Sequence, residues 1–363
     1  MSTSAPPYHG FVSAARARLD AALAERGKSR FDDGRLAAKS AVLLSLYVAS
    51  YVALLMLPVS ASGTLGLALL WGATLALVAF NLPHDASHGA IASALGTNRR
   101  YNQAFRLAGL EPYTWHLKHD LAHHGYTNVP GLDPDLEAWP ILRFAETDRR
   151  LWFHRFQHLY APFAYLIMGL FFVVWIDFRL YFDGRFRTRF GVRHPRGAFA
   201  SLILTKCLYL TLALIVPIIV LPYPPGIVVL GFLLMLATVG LLSALVLLPS
   251  HCMEHARFLA PPGPGRSRDE AAAEAVSTTL DFAPRSAVAN WLFGGFNTNA
   301  VHHLFPDICH VHYRQLTPIF ADVCRTYGVR YHEASLVGAI ASHFRFLRAM
   351  GRHDVLAPSG ARA

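Results

Sequence analysis

The chain has 363 residues, of which 53% are hydrophobic and only 15% charged, and its mean hydropathy is +0.32. Soluble globular domains carry charge on about a quarter of their residues, so the composition argues against a water-soluble fold and for a membrane protein. The formal net charge of +10 comes from Lys and Arg spread along the polar sections; this suits a membrane face and offers no basic, aromatic-interleaved patch for DNA or RNA.

Residues 1–39 are polar and charged and read as an amphipathic helical arm, without the short apolar core of a cleavable signal. Residues 40–82 follow as a hairpin of two transmembrane helices. No Asp, Glu, Lys or Arg occurs between Lys39 and Asp85, a stretch about twice the ~20 residues that cross a bilayer as a helix. Pro58-Val59-Ser60-Ala61-Ser62-Gly63 breaks it near the middle. Residues 83–199 form a polar section that holds one ambiguous segment: Phe156 to Ile176 has no full charge and is strongly apolar at Leu166–Trp175. A crossing there would put histidines before and after it on opposite sides of the bilayer, so an in-plane or partly embedded helix is predicted. Residues 200–250 repeat the hairpin pattern: no charge falls between Lys206 and Glu254, and Pro222-Tyr223-Pro224-Pro225-Gly226 supplies the break. Residues 251–363 are a polar tail with a loop at Pro261-Pro262-Gly263-Pro264-Gly265 and then surface helices.

The predicted fold is therefore an all-α integral membrane protein in a single domain spanning 1–363. Four transmembrane helices form two hairpins, and a helical cap on the cytoplasmic side holds a histidine-rich di-metal site. The uncharged hairpin tips face away from the Lys- and Arg-bearing sections, which the positive-inside rule places with both termini and the site in the cytoplasm. The four cysteines lack CxxC spacing and a disulfide framework and read as reduced thiols. An Ala- and Arg-rich composition suggests a bacterial inner membrane.

Three histidine clusters flank the hairpins: His84-Asp85-Ala86-Ser87-His88, His119-Asp120-Leu121-Ala122-His123-His124 and Asn299-Ala300-Val301-His302-His303. Each repeats a donor at i,i+3 or i,i+4, so that donors share one side of a helix. His84 follows the second apolar helix and His251 the fourth, so two hairpins returning to one face bring both to the same depth. An isolated HxxxH arises readily by chance and is usually a pair of surface histidines; three clusters beside predicted membrane boundaries reverse that reading. Imidazole suits iron, copper, zinc and nickel. A structural zinc site takes four ligands, whereas eight histidines (His84, His88, His119, His123, His124, His251, His302 and His303) suit two six-coordinate ions with open positions. Asp85, Asp120, Asp133, Asp135 and Asp307 are candidates to accept the far N–H of ligating imidazoles, and His310 and His312 to support the third cluster. The zinc-protease pattern HExxH is absent. A histidine-rich metal transporter would place its ligands inside the apolar helices, and here they lie outside them.

The blocks Pro83–Ala90, Trp115–Asn128 with Gly131-Leu132-Asp133-Pro134-Asp135, and Gly294–Pro306 with Ile308–Tyr313 give the chain a resemblance to the membrane-bound fatty acid desaturases. The branch it most resembles holds acyl-lipid and linoleoyl-CoA-type enzymes, over about Phe11 to Arg348. The resemblance implies a non-haem di-iron centre with His84, His88, His119, His123, His124, His251, His302 and His303 as ligands. Family members often carry Gln or His three positions before the last pair; this chain has Asn299 there, a weak or water-bridged ligand, and Val301 where the branch often has Glu.

The resemblance further implies an oxidoreductase that uses O2 and two electrons to turn neighbouring methylenes into a double bond, releasing two waters. The acyl substrate would be carried by a lipid, by CoA or by a carrier protein. A hydroxylase or acetylenase on the same scaffold shares the first hydrogen removal. No haem, flavin, nicotinamide or iron–sulfur motif stands in the chain, so a separate electron donor is expected, a ferredoxin or a cytochrome b5 with its reductase.

Overall fold

In the computed structural model, residues 8–261 and 265–352 are described. The loop expected at Pro261–Gly265 lies outside them except for its two end residues, as do residues 1–7 of the arm and 353–363 of the tail.

The protein is built almost wholly of helices, and the sequence's punctuation sets their ends. Helix α1 is Phe11–Ala24 and α2 is Arg35–Met56. Leu57, before Pro58, is extended, as a residue preceding proline prefers. Ser60 then caps α3 (Ala61–Ser87) by accepting the Gly63 N–H. Pro83 cannot donate a helical bond, and α3 is interrupted at Leu82 before the last turn, Pro83–Ser87, which carries His84. Helix α4 begins at Pro112–Trp115, capped by the Glu111 carboxylate, and continues as His116–His123. Next come α5 (Trp152–Phe182), α6 (Ala198–Val220) and α7 (Pro225–His251). Shorter helices α8 (Asn299–Leu304), α9 (Tyr313–Thr326) and α10 (Leu336–Met350) follow. The strands among the described residues are one parallel pair, Leu280–Phe282 with His332–Ala334, in which Asp281 faces Glu333.

Helices α2–α3 and α6–α7 are the two expected hairpins. Their tips meet: the Tyr223 O–H donates to the Val59 carbonyl. From there α3 and α7 run side by side, each 27 residues long, or ~40 Å at the helical rise. Similar lengths from touching tips bring the ends of α3 and α7, which carry His84 and His251, to the same end of the helix pair. The helices approach closely: a Cβ on Gly72 of α3 would stand 2.6 Å from the Met235 carbonyl of α7.

Among the described residues five helices, not four, are long and apolar enough to cross a membrane, and the additional one is α5. Its middle packs backbone to backbone against α7, where Gly169 and Gly240 face each other and a Cβ on either would fall within 2.5 Å of the other helix's backbone. Both ends of α5 nevertheless attach to the polar stretch that runs from the start of α4 to the start of α5. At the start, the Gln157 amide pairs with the Arg143 backbone and His154 Nε2 donates to the Pro140 carbonyl. At the end, Asp177 accepts from Glu111 N and Thr114 Oγ1, and Arg179 pairs with Glu137.

The arm docks on the tail. Phe11 and Leu19 of α1 pack with Phe320 and Val323 of α9 in one buried cluster. Asp307 accepts from Arg16 and Arg30, so it ties the arm down and orients no imidazole of the clusters.

Candidate metal centre

Four elements converge on one buried point. The end of α3 brings His84 and, just beyond it, His88. α4 brings His119 and His123, with His124 capping it, while the end of α7 brings His251 and α8 brings Asn299, His302 and His303. The second cluster departs from the α-helical spacing assumed from sequence. His116–His123 is a π-helix, closed by the His124 N–H donating to the His119 carbonyl, five residues back, at 3.0 Å. This wider turn, common at functional sites, lets His119, His123 and His124 all face the centre.

The donors fall into two groups whose ligand atoms lie within 4.8 Å of one another: His84, His88, His119 and His302 in one, His123, His251 and His303 in the other. Asn299 joins the second, its amide 2.7 Å from His251 Nε2. His124 lies between the groups, its ring centre 4.5 Å from that of His88, 4.6 Å from that of His302 and 4.6 Å from that of His303.

Ring nitrogens point at one another rather than at protein partners. His84 Nε2 lies 3.1 Å from His119 Nε2, and His251 Nε2 lies 3.1 Å from His303 Nε2. Both nitrogens of His124, with His88 Nε2 and His302 Nε2, are buried without a hydrogen-bond partner. Each unpaired buried polar atom costs about 1–3 kcal/mol, and a cation accepting these lone pairs removes that cost, so the donor set fits metal ions. Burial, with the neighbouring imidazoles, pushes His119, His124, His302 and His303 well below the ordinary histidine pKa. They therefore stay neutral, the form that binds metal. His123 differs: burial opposes its charge, but Asp133 and Asp135 hold its pKa above the ordinary value.

The expected supporting residues sort by distance. Asp133 accepts from His123 Nδ1 at 3.0 Å, and Asp135 lies 3.3 Å from the same atom while pairing with Lys118. Asp120 is 3.6 Å from His88 Nε2 and accepts from Ser87 and His116. Asp85 stands 3.9 Å from His84 Nδ1 and accepts from His310 Nδ1 at 2.7 Å, while Lys39 donates to His310 Nε2 at 2.9 Å. His310 thus acts through Asp85 rather than facing the cluster. The structure does not bring His312 to the cluster: its Nε2 donates to the Phe31 carbonyl and its Nδ1 accepts from Arg35, so it seats the arm. Partners that sequence reasoning missed are Thr127, 3.2 Å from His303 Nδ1, and Tyr313, 3.3 Å from His302 Nδ1. Both stood inside the recognised blocks, but nothing in a single sequence marks a hydroxyl as aimed at an imidazole.

A cavity of about 740 Å³ passes beneath the cluster, with His119, His123, His251 and Asn299 in its wall. Leu75, Phe105, Tyr209 and Leu236 line its buried part, and Trp139, Ile141, Ile167 and Trp175, all strongly exposed, line its opening.

The family model for fatty acid desaturases matches residues 18–335. The chain belongs to that family. The desaturase is 31% identical over 345 residues to the sn-1 linoleoyl-lipid 6-desaturase of Arthrospira platensis, a match covering 94% of this chain and 92% of that one. It is 30% identical to the protein of the same name in Synechocystis sp., covering 94% and 96%. Its similarity to the acyl-lipid (8-3)-desaturase of Physcomitrium patens is 29% identity over 86% of this chain and 66% of that one. With its apolar helices the desaturase is a multi-pass membrane oxidoreductase, and its histidine clusters suit the metal dependence of the family.

Proposed function

We propose that this desaturase uses O2 and a pair of iron ions to introduce a double bond into acyl chains carried by membrane lipids. One ion would be held by His84, His88, His119 and His302 with His124 facing them, the other by His123, His251, His303 and Asn299. The observation that carries the reading is the two-group cluster of buried imidazoles, several with ring nitrogens that meet no hydrogen-bond partner, in the wall of an apolar cavity.

The chemistry that bound iron supplies is the use of O2 to remove hydrogen from an unactivated C–H bond, which no side chain achieves. Overall, one O2, two electrons and two protons convert –CH2–CH2– into –CH=CH– and two waters. The protein's share is placement. Asp133 accepts a hydrogen bond from the Nδ1–H of His123 and so fixes the tautomer that turns the Nε2 lone pair toward the centre. Thr127 and Tyr313 brace His303 and His302. The apolar walls at Leu75, Phe105 and Leu236 hold the chain and keep water from it. Electrons come from a separate donor, a ferredoxin or a cytochrome b5.

The cavity mouth favours a lipid-borne substrate. Its rim is aromatic and aliphatic, and its cations are already paired, Lys118 with Asp135 and Arg179 with Glu137, so the phosphates of CoA find no free cluster of charge there. The relatives named for acyl-lipid substrates point the same way.

The test is lipid analysis in a host of simple fatty acid composition, with a donor system supplied. New double bonds in glycerolipid acyl chains are expected, and the His123→Ala and His303→Ala variants should accumulate in the membrane with activity abolished. Turnover retained in either variant, or product confined to acyl-CoA, contradicts the proposal; hydroxylated or acetylenic products would assign a different outcome to the same centre.

A further inference from the structure

A buried ion pair sits beside one of the buried apolar clusters of the molecule. Asp177 of α5 and Lys206 of α6 are both buried, with Lys206 Nζ 2.7 Å from Asp177 Oδ2. Ile176, just before Asp177, and Tyr209, one turn after Lys206, belong to the buried apolar cluster that also holds Leu110 and Leu236. Removing two charges from water at membrane depth is costly, and apolar side chains of similar shape often serve stability as well or better. Stability is therefore a weak reason for the pair to be there.

Its geometry supplies a stronger one. Lys206 Nζ also donates to the Gly109 carbonyl at 2.6 Å. Asp177 accepts from Glu111 N at 3.0 Å and from Thr114 Oγ1 at 2.6 Å. Glu111 in turn caps α4, the helix that carries His119 and His123. One ion pair thus fastens α5, α6 and the start of α4 at a single point.

That point lies behind the buried part of the cavity. Neither charged group lines it, but their neighbours Leu110, Ile176 and Tyr209 do. Tyr209 follows Lys206 by about one helical turn. Gly109 takes φ +71°, and a Cβ there would stand 2.9 Å from the Tyr209 ring. The ring therefore lies directly on the backbone that Lys206 holds.

We propose that the Asp177–Lys206 pair is a positioning clamp: it fixes Tyr209 as the stop of the acyl cavity and thereby sets which carbons lie beside His119 and His123. This rests on the desaturase reading above. An acyl chain carries no polar group along its length, so only the walls can register it, and one methylene in an apolar pocket is worth about 10- to 200-fold in discrimination. The clamp holds the stop on α6 at a constant distance from the histidines on α4.

The experiment compares the wild-type enzyme with Tyr209→Ala, Tyr209→Phe, Asp177→Asn and the double variant D177N/K206M, in membranes supplied with saturated fatty acids of defined length. The readouts are double-bond position, chain-length profile and iron per protein. Tyr209→Ala and the double variant should move the double bond toward the carboxyl end of a given chain or favour longer chains, changing the isomer ratio by about tenfold or more, with iron content unchanged. Tyr209→Phe should keep the wild-type ratio. If the double variant does not accumulate, Asp177→Asn keeps the side-chain shape and carries the same expectation. An unchanged isomer ratio and chain-length profile in an active Tyr209→Ala enzyme overturns the stop. Wild-type ratios in the clamp variants, with only turnover lowered, overturn the clamp. Absence of any unsaturated product from the wild type overturns the desaturase reading instead.

Discussion

His123 shows how neighbours commit one side chain to one role. Its Nδ1 donates to Asp133, whose carboxylate also accepts the backbone N–H of Asn128 and of Asp135. In Asp133→Asn one oxygen becomes an NH2 that faces an N–H donor, and the neutral amide holds the His123 ring less firmly than the carboxylate does. Metal affinity should fall about 10- to 100-fold, read as iron content during chelator titration. The spacing in the sequence marks the ligand candidates, and the acidic residues beside the second box are legible as their partners. His312 resembles them in sequence, but the docking of the N-terminal arm captures it, an event almost three hundred residues away in chain order.

A different buried histidine carries a pH prediction. His343 Nδ1 donates to the Cys252 carbonyl and Nε2 accepts from Tyr165, and burial takes its pKa from 6.5 down to about 4. Between those values the unfolded chain binds the proton and the folded one does not. The associated stability is present above about pH 6.5 and is lost as pH falls toward about 4, with an upper size of about 3 kcal/mol. The His343→Gln variant should therefore lose less melting temperature than wild type on going from about pH 7 to about pH 4.5, measured in detergent.

At the scale of elements, the hairpins are the most legible features because an uncharged run and a Pro/Gly break each have one physical meaning in a bilayer. The π-turn of α4 was hidden, since i,i+4 histidines fit an α-helix equally well and the wider turn is imposed by where the rings must go. α5 is the ambiguous case: length and apolarity alone qualify it to span, whereas its ends are tied to the same polar section. Its contact with α7 depends on Gly169 and Gly240. Gly240→Leu would drive a side chain into the Tyr165 and Gly169 backbone and should destabilise by about 1–3 kcal/mol or more, seen as a lowered melting temperature. Activity should fall with it, because Gly169, Leu236 and Val239 line the cavity.

At the scale of the whole molecule, orientation is the property to measure. A complete crossing by α5 would separate Asn128 from the His251 carbonyl to which its amide donates at 3.1 Å, and the second box from the third. We therefore expect four crossings, with α5 entering and leaving on one side. Reporter fusions at positions 150 and 190 should report the same side; opposite sides would require a fifth crossing. The composition marks a membrane protein and the histidine clusters mark the candidate site, but neither reveals that α5 packs against α7 and lines the cavity. That depends on which face meets α7, and apolar periodicity is silent when every face is apolar.

With the lipid-borne substrate proposed above, the rim formed by Trp139, Ile141, Ile167 and Trp175 has a kinetic consequence. An enzyme that draws its reactant sideways out of the bilayer responds to mole fraction within the leaflet, a two-dimensional quantity, rather than to molarity in the surrounding fluid. Diluting the membrane with inert detergent or unreactive lipid then slows turnover while the protein itself is unchanged, and the ordering of neighbouring hydrocarbon becomes part of the rate law.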